Sequence, residues 1–130
     1  MKEAKEIAAE LSKGNVKKAY ELRGRLLRNE GDDFELEIME IAKQAVITYL
    51  KNGRTEEARQ VQKLFDLPED LMEETIQQAV LSSFCDGNVM RIRELKEDLP
   101  IHRELSLKIM AYCASWGKKD MTALMETVFA

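Results

Sequence analysis

The chain has 130 residues, 45% hydrophobic and 34% charged, with a formal net charge of −4 at pH 7 and a sequence pI of about 5.2. One domain of this length buries roughly two-thirds of its unfolded surface, the balance is globular rather than disordered, and every apolar run falls short of a membrane span. The acidic balance excludes a surface devoted wholly to phosphate backbones, and a chain rich in Ala, Leu, Met, Glu, Lys, Arg and Gln with only 2 prolines is expected to be helical throughout.

In chain order, the first predicted helix spans 3–13, its apolar stripe carried by Ile7 and Leu11 and its end set by Gly14. A second runs over 16–29 behind Asn15, with Ala19, Leu22 and Leu26 at helical spacing. After the stop Asn29-Glu30-Gly31-Asp32, a third covers 33–51, with Val46 and Leu50 before Gly53. The fourth, 55–66, places Ala58, Val61 and Phe65 on one face, and Leu67-Pro68-Glu69-Asp70 ends it. Helices at 69–85, with Val80 and Phe84 before Gly87, and at 89–98, with Ile92, Leu95 and Leu99, repeat the arrangement. Beyond Pro100 come 101–115, ending at Gly117, and a closing helix at 119–129 on which Met121, Leu124 and Val128 face inward; Met110 also falls on a core stripe, and Trp116 packs the last turn against the closing helix.

Each glycine suits the left-handed residue just past a helix end, where a side chain would clash with the backbone. Asn15, Thr55 and Asn88 are expected to cap the helices that follow, their side-chain oxygens accepting from first-turn amides. The acids Asp32, Asp33, Glu35, Glu69, Asp70, Glu73 and Glu74 crowd helix starts, where the positive end of the dipole favours them. Leu11-Ser12-Lys13-Gly14-Asn15-Val16, Leu50-Lys51-Asn52-Gly53-Arg54-Thr55 and Phe84-Cys85-Asp86-Gly87-Asn88-Val89 therefore read as one repeated junction, with Ala114-Ser115-Trp116-Gly117 as a weaker fourth.

The segment from Gln44 to Val61 resembles the middle of a tetratricopeptide or pentatricopeptide repeat hairpin. In those families an aromatic precedes the inter-helix glycine by four residues and an alanine follows it by five, places held here by Tyr49 and Ala58, with Pro68 near the expected terminal proline. The match covers about one repeat, from 33 to 68. The resemblance implies an all-α fold: an α-α superhelix of about three stacked antiparallel helix hairpins between terminal capping helices, forming a single domain over 1–130. A compact helical bundle of the same helices is the alternative, because its periodicity would be similar.

No residues form a recognisable reaction centre. The single histidine, His102, lies at a helix start beside Arg103 and Glu104 and is expected at the surface or in a cap. Cys85 and Cys113 are too far apart for a metal or redox motif and are expected to be reduced. The glycines stand singly, so no phosphate loop is formed. The expectation is therefore no enzyme, no metal and no cofactor. The opening Met1-Lys2-Glu3-Ala4-Lys5-Glu6-Ile7 alternates charges without the apolar stretch of a secretory signal, pointing to a cytoplasmic protein with no membrane association.

Two surfaces remain as candidates. In tetratricopeptide-like stacks the inner groove would be faced by Lys43, Ile47 and Leu50, by Gln77, Leu81 and Phe84, and by Leu107, Ala111 and Ala114. Either this apolar face takes an amphipathic partner helix or extended peptide, or the stack is closed and these residues are core. On the helices after each glycine, Tyr20, Arg23, Arg59, Lys63, Arg93 and Lys96 define a basic stripe that is either a solvated face paired with Glu21, Glu57 and Glu94 or a site for an acidic peptide or nucleic acid. The favoured function is a protein–protein interaction module that presents a helical-repeat surface to a peptide, a partner protein or itself. RNA binding through the basic stripe is the less favoured alternative.

Overall fold

The computed structural model describes residues 2–30, 34–99, 101–115 and 127–128. Among these, seven helices form: α1 (Lys2–Ser12), α2 (Val16–Glu30), α3 (Glu35–Lys51), α4 (Thr55–Leu64), α5 (Glu69–Cys85), α6 (Val89–Asp98) and α7 (Arg103–Ser115). The described residues include no strand. The fold is all-helical, as the composition demands. Gly31, Asp32, Asp33, Pro100, Trp116, Gly117, Met121 and Leu124 lie outside the described residues, so the closing helix is represented only by Thr127 and Val128, which are helical.

The three inter-helix glycines behave alike. Gly14, Gly53 and Gly87 take φ of 86°, 75° and 71°, the left-handed region where a side chain would be strained. In each case the following amide reaches back five residues, Asn15 to Glu10, Arg54 to Tyr49 and Asn88 to Ser83, at 2.9, 2.8 and 2.9 Å. The glycine amide meanwhile bonds to Leu11, Leu50 or Phe84 at 3.0 to 3.2 Å. This reverse pattern satisfies carbonyls that the ending helix leaves without partners.

Other ends correct the expectation in detail. Helix α4 stops at Leu64 because Asp66 turns left-handed at φ 51°, with the Leu67 amide bonding back to Gln62 at 3.0 Å. Thr55 is the first residue of α4 rather than its cap; Arg54 holds the cap position and its side chain makes no capping bond. Asn15 turns its side-chain amide to the Glu10 carboxylate at 2.9 Å. Asn88 does cap, its Oδ1 accepting from the Arg91 amide at 3.2 Å.

Packing proceeds from neighbour to neighbour. Within hairpins, α1 packs on α2, α3 on α4 and α5 on α6. Between hairpins, α1 packs on α3, α3 on α5 and α5 on α7, while α2 also packs on α4. One continuous core runs from Ile7 and Leu11 through Val46, Leu50, Val80 and Phe84 to Ile109 and Val128. The residues three and seven before Gly14, Gly53 and Gly87 point into it, because that spacing puts them on one helix face.

Specific polar contacts tie the first joint. The buried Tyr49 hydroxyl donates to the carbonyl of Leu11, the last apolar residue of α1, so the aromatic that marks the repeat resemblance bonds across hairpins. Arg54 lies 5.8 Å over the Tyr49 ring, and its Nη2 is 3.2 Å from where a Cβ on Gly14 would sit. Burial raises the Tyr49 hydroxyl's pKa above the ordinary tyrosine value, against the lowering effect of Arg54. The next hairpin repeats the device: Arg91 crosses Gly53, with its Cζ 2.9 Å from the same hypothetical atom.

Candidate partner-binding surfaces

A groove of about 350 Å³ runs between α1 and α3, within the size range of ligand pockets. Buried Leu11 and Tyr49 form its floor, half-buried Ile41 and Ala45 one wall, and exposed Ala8 and Ser12 the other. Small residues on facing helices leave this furrow open, since neither Ala8 nor Ala45 can reach across. Glu40 sits at one end and Asn52 and Arg54 at the other.

The rim makes few polar demands. The Ser12 hydroxyl donates to the Ala9 carbonyl at 2.8 Å, Thr48 to Gln44 at 3.0 Å, and the Gln44 amide to Glu40 at 3.1 Å. The backbone of both walls is engaged in helix, so no free strand edge exists for an extended peptide to extend. An occupant must satisfy its own backbone and offer apolar side chains, which describes an amphipathic helix.

A second opening, about 820 Å³, separates α4 and the start of α5 from Leu99, Ile101 and His102. Leu50, Ala58, Met72, Ile76 and Leu99 floor it. Two polar bridges cross it: Arg59 Nη2 donates to the Asp98 carbonyl at 2.5 Å, and His102 Nε2 meets Glu73 at 2.7 Å. His102 also caps α7, its Nδ1 accepting from the Leu105 amide at 3.2 Å, which places the neutral ring's proton on Nε2. The expected surface or capping role of His102 is thus met.

The groove expected from the sequence is not assembled as drawn. Leu50 and Phe84 are core residues at 0% and 1% exposure, and Ile47 is buried. Half-buried Lys43 pairs with Glu74 at 2.7 Å, and Lys51 with Asp86 at 3.7 Å, so ion pairs bridge α3 and α5 where an open furrow was expected. Gln77 and Leu81 are half-buried, and Leu107 is 51% exposed on α7 beside exposed Ala111 and Ala114. The residues three before each glycine share a face with those seven before it, and that face turns inward. Sequence reasoning missed Ala8, Ile41 and Ala45; the available signal was the alanines on what become facing helices.

The basic stripe is partly spent inside the fold. Arg23 lies 5.9 Å over the Phe65 ring, Arg59 is held by Glu56 and Asp98, and Lys96 donates to the Val128 carbonyl. Lys63 and Arg93 are exposed, and Tyr20 is 41% exposed with its ring edge-on to Phe65 at 6.2 Å.

Among the described residues, no three His, Cys, Asp or Glu side chains are placed to hold a metal ion, and no helix is long and apolar enough to cross a membrane. Cys85 is a free, exposed thiol, and the Cys113 side chain lies outside the described residues. Compared with protein-family models, curated proteins and solved structures, the chain matches none.

Proposed function

We propose that this chain is a cytoplasmic protein-interaction module, a stack of tetratricopeptide-like hairpins acting by binding rather than catalysis. Its groove between α1 and α3 receives an amphipathic helix of a partner. The observation that carries this reading is the apolar furrow itself, floored by Leu11 and Tyr49 and rimmed by side chains already satisfied by their own helices. Among the described residues, helices pack from neighbour to neighbour and α1 makes no contact with α7 comparable to that with α3, which supports the open stack over the closed bundle.

RNA binding across the post-glycine helices is the weaker alternative, because Arg23, Arg59 and Lys96 are already engaged. The test is affinity capture from native cells with the wild type and Ala8→Glu, a change at an exposed wall residue that leaves the core alone. A partner lost from Ala8→Glu but kept by Leu107→Glu, with unchanged circular dichroism, supports the groove. A partner retained by Ala8→Glu and lost from Leu107→Glu moves the site to α7.

A further inference from the structure

One glycine is not explained by the fold. Gly24 stands in the middle of α2 at an ordinary helical φ, and a Cβ added there would meet nothing within 4 Å. Alanine would fit and would favour the helix, since glycine loses more backbone freedom on folding. Gly24 lies in a shallow cleft of about 500 Å³ lined also by Tyr20, Glu21, Arg23, Arg25 and Arg28.

The cleft's surroundings are cationic and partly fixed. Helix α2 carries Lys17, Lys18, Arg23, Arg25 and Arg28 against Glu21 and Glu30. Tyr20 and Arg23 are both held against the Phe65 ring, so one wall is in place before anything binds. Arg25 and Arg28 are exposed, and among the described residues neither is ion paired. Toward the helix start a second hollow, about 470 Å³, adds Lys17, Lys18 and Gln60. From Lys17 to Arg28 this track extends about 16 Å at 1.5 Å per residue.

We infer that α2 is a docking face for an acidic segment of a partner protein, which crosses the helix at Gly24. The notch lets the partner's backbone approach closer than the 8–10 Å usual between helices. Arg25 and Arg28 present planar forks to its carboxylates, and Lys17 extends the attraction toward the amino end, where Lys18 is paired with Glu10 at 3.5 Å. A second copy docking by this face would set cations against cations, so self-association through α2 is disfavoured. A nucleic-acid strand would need a longer track and more stacking rings than Tyr20 alone, and the cations of α4 and α6 that could extend the track are partly engaged. This inference is independent of the α1–α3 groove, which α2 does not line.

The test uses a fluorescein-labelled peptide of alternating Glu and Ala and a labelled mixed-sequence DNA single strand, each titrated with the full chain at low and at physiological salt. The peptide is expected to bind more tightly than the DNA and to weaken as salt rises. The Arg25→Glu/Arg28→Glu variant is expected to weaken peptide binding by roughly tenfold or more. Gly24→Leu is expected to weaken it several-fold while the melting temperature holds or rises, which separates a blocked notch from unfolding. Ala8→Glu is expected to bind the peptide as wild type does. Tighter DNA binding, full peptide binding by Gly24→Leu, or peptide loss in Ala8→Glu would each overturn the inference.

Discussion

The joint between the first and second hairpins differs from that between the second and third. At the first, helices pack in both layers: α1 packs on α3 beside the furrow lined by Ala8 and Ala45, α2 packs on α4, the Tyr49 hydroxyl bonds to Leu11, and Phe65 takes Tyr20 and Arg23 on one ring. At the second, α3 and α5 pack closely, but α4 and α6 make no contact comparable to that of α2 with α4. An apolar-floored opening lies there instead, crossed by Arg59 and by His102 with Glu73. Successive hairpins can thus share one continuous layer while the other spreads, and aromatic filling decides which. Phe65 closes the first joint; α4 offers the second joint only Ala58, Arg59 and Gln62.

The largest expected effect comes from the layer whose helices α1, α3 and α5 pack in succession. Phe84→Ala should cost about 3–5 kcal/mol, because it empties a site at 1% exposure, and denaturant unfolding would measure it. A loss below about 1 kcal/mol would mean that Phe84 is not core. Next come the glycine turns. Gly87→Ala carries only the left-handed backbone penalty of about 1–2 kcal/mol, since no described atom lies within 4 Å of its new Cβ. Gly53→Ala should exceed this because its Cβ collides with Arg91, and adding Arg91→Ala should recover the excess. Equal costs at both glycines would show that Arg91 does not hold the second joint.

Tyr49→Phe should cost about 1 kcal/mol, the net worth of a buried hydrogen bond, and should loosen only the first joint. The hydroxyl's folded pKa lies above its unfolded value, so its stabilising effect is complete below the unfolded pKa and is lost as pH rises through the folded one. The variant should therefore lose part of the wild type's alkaline destabilisation, readable as melting temperature against pH. Glu10 works in the opposite sense. The hydrogen bond from Asn15, helped by Lys18 and Lys13 and opposed by burial, lowers its pKa, so that contribution is present above the unfolded value and lost on acidification. The smallest effect is expected from Arg59→Ala, within about 0.5 kcal/mol because the residue is exposed. It should nevertheless raise hydrogen exchange in α6 more than in α2.

The seven described helices and their turn positions were legible because they rest on local chemistry. A glycine past an apolar stripe announces a left-handed stop, and Gly14, Gly53 and Gly87 all adopt it. The stop at Asp66 was not, because an acidic residue in that conformation carries no distinctive signal. The site was legible only in kind. Periodicity finds an apolar face, but whether it meets its own hairpin partner, the next hairpin or solvent depends on the rotation of packed helices. Leu50 and Phe84 were therefore assigned both to a stripe and to a groove, and the structure gives them to the stripe. The furrow formed one helix earlier, where Ala8 faces Ala45.

Packing limited to adjacent elements also bears on how the chain comes apart. Helices α3 and α5 each touch the elements on both sides as well as their own hairpin partners, α4 and α6. The order of opening should then run inward from the ends, as in a zipper, with no single all-or-none event required. Amides in the middle of α3 and α5 would be the last to exchange, and folding would start where these two helices pack and spread in both directions.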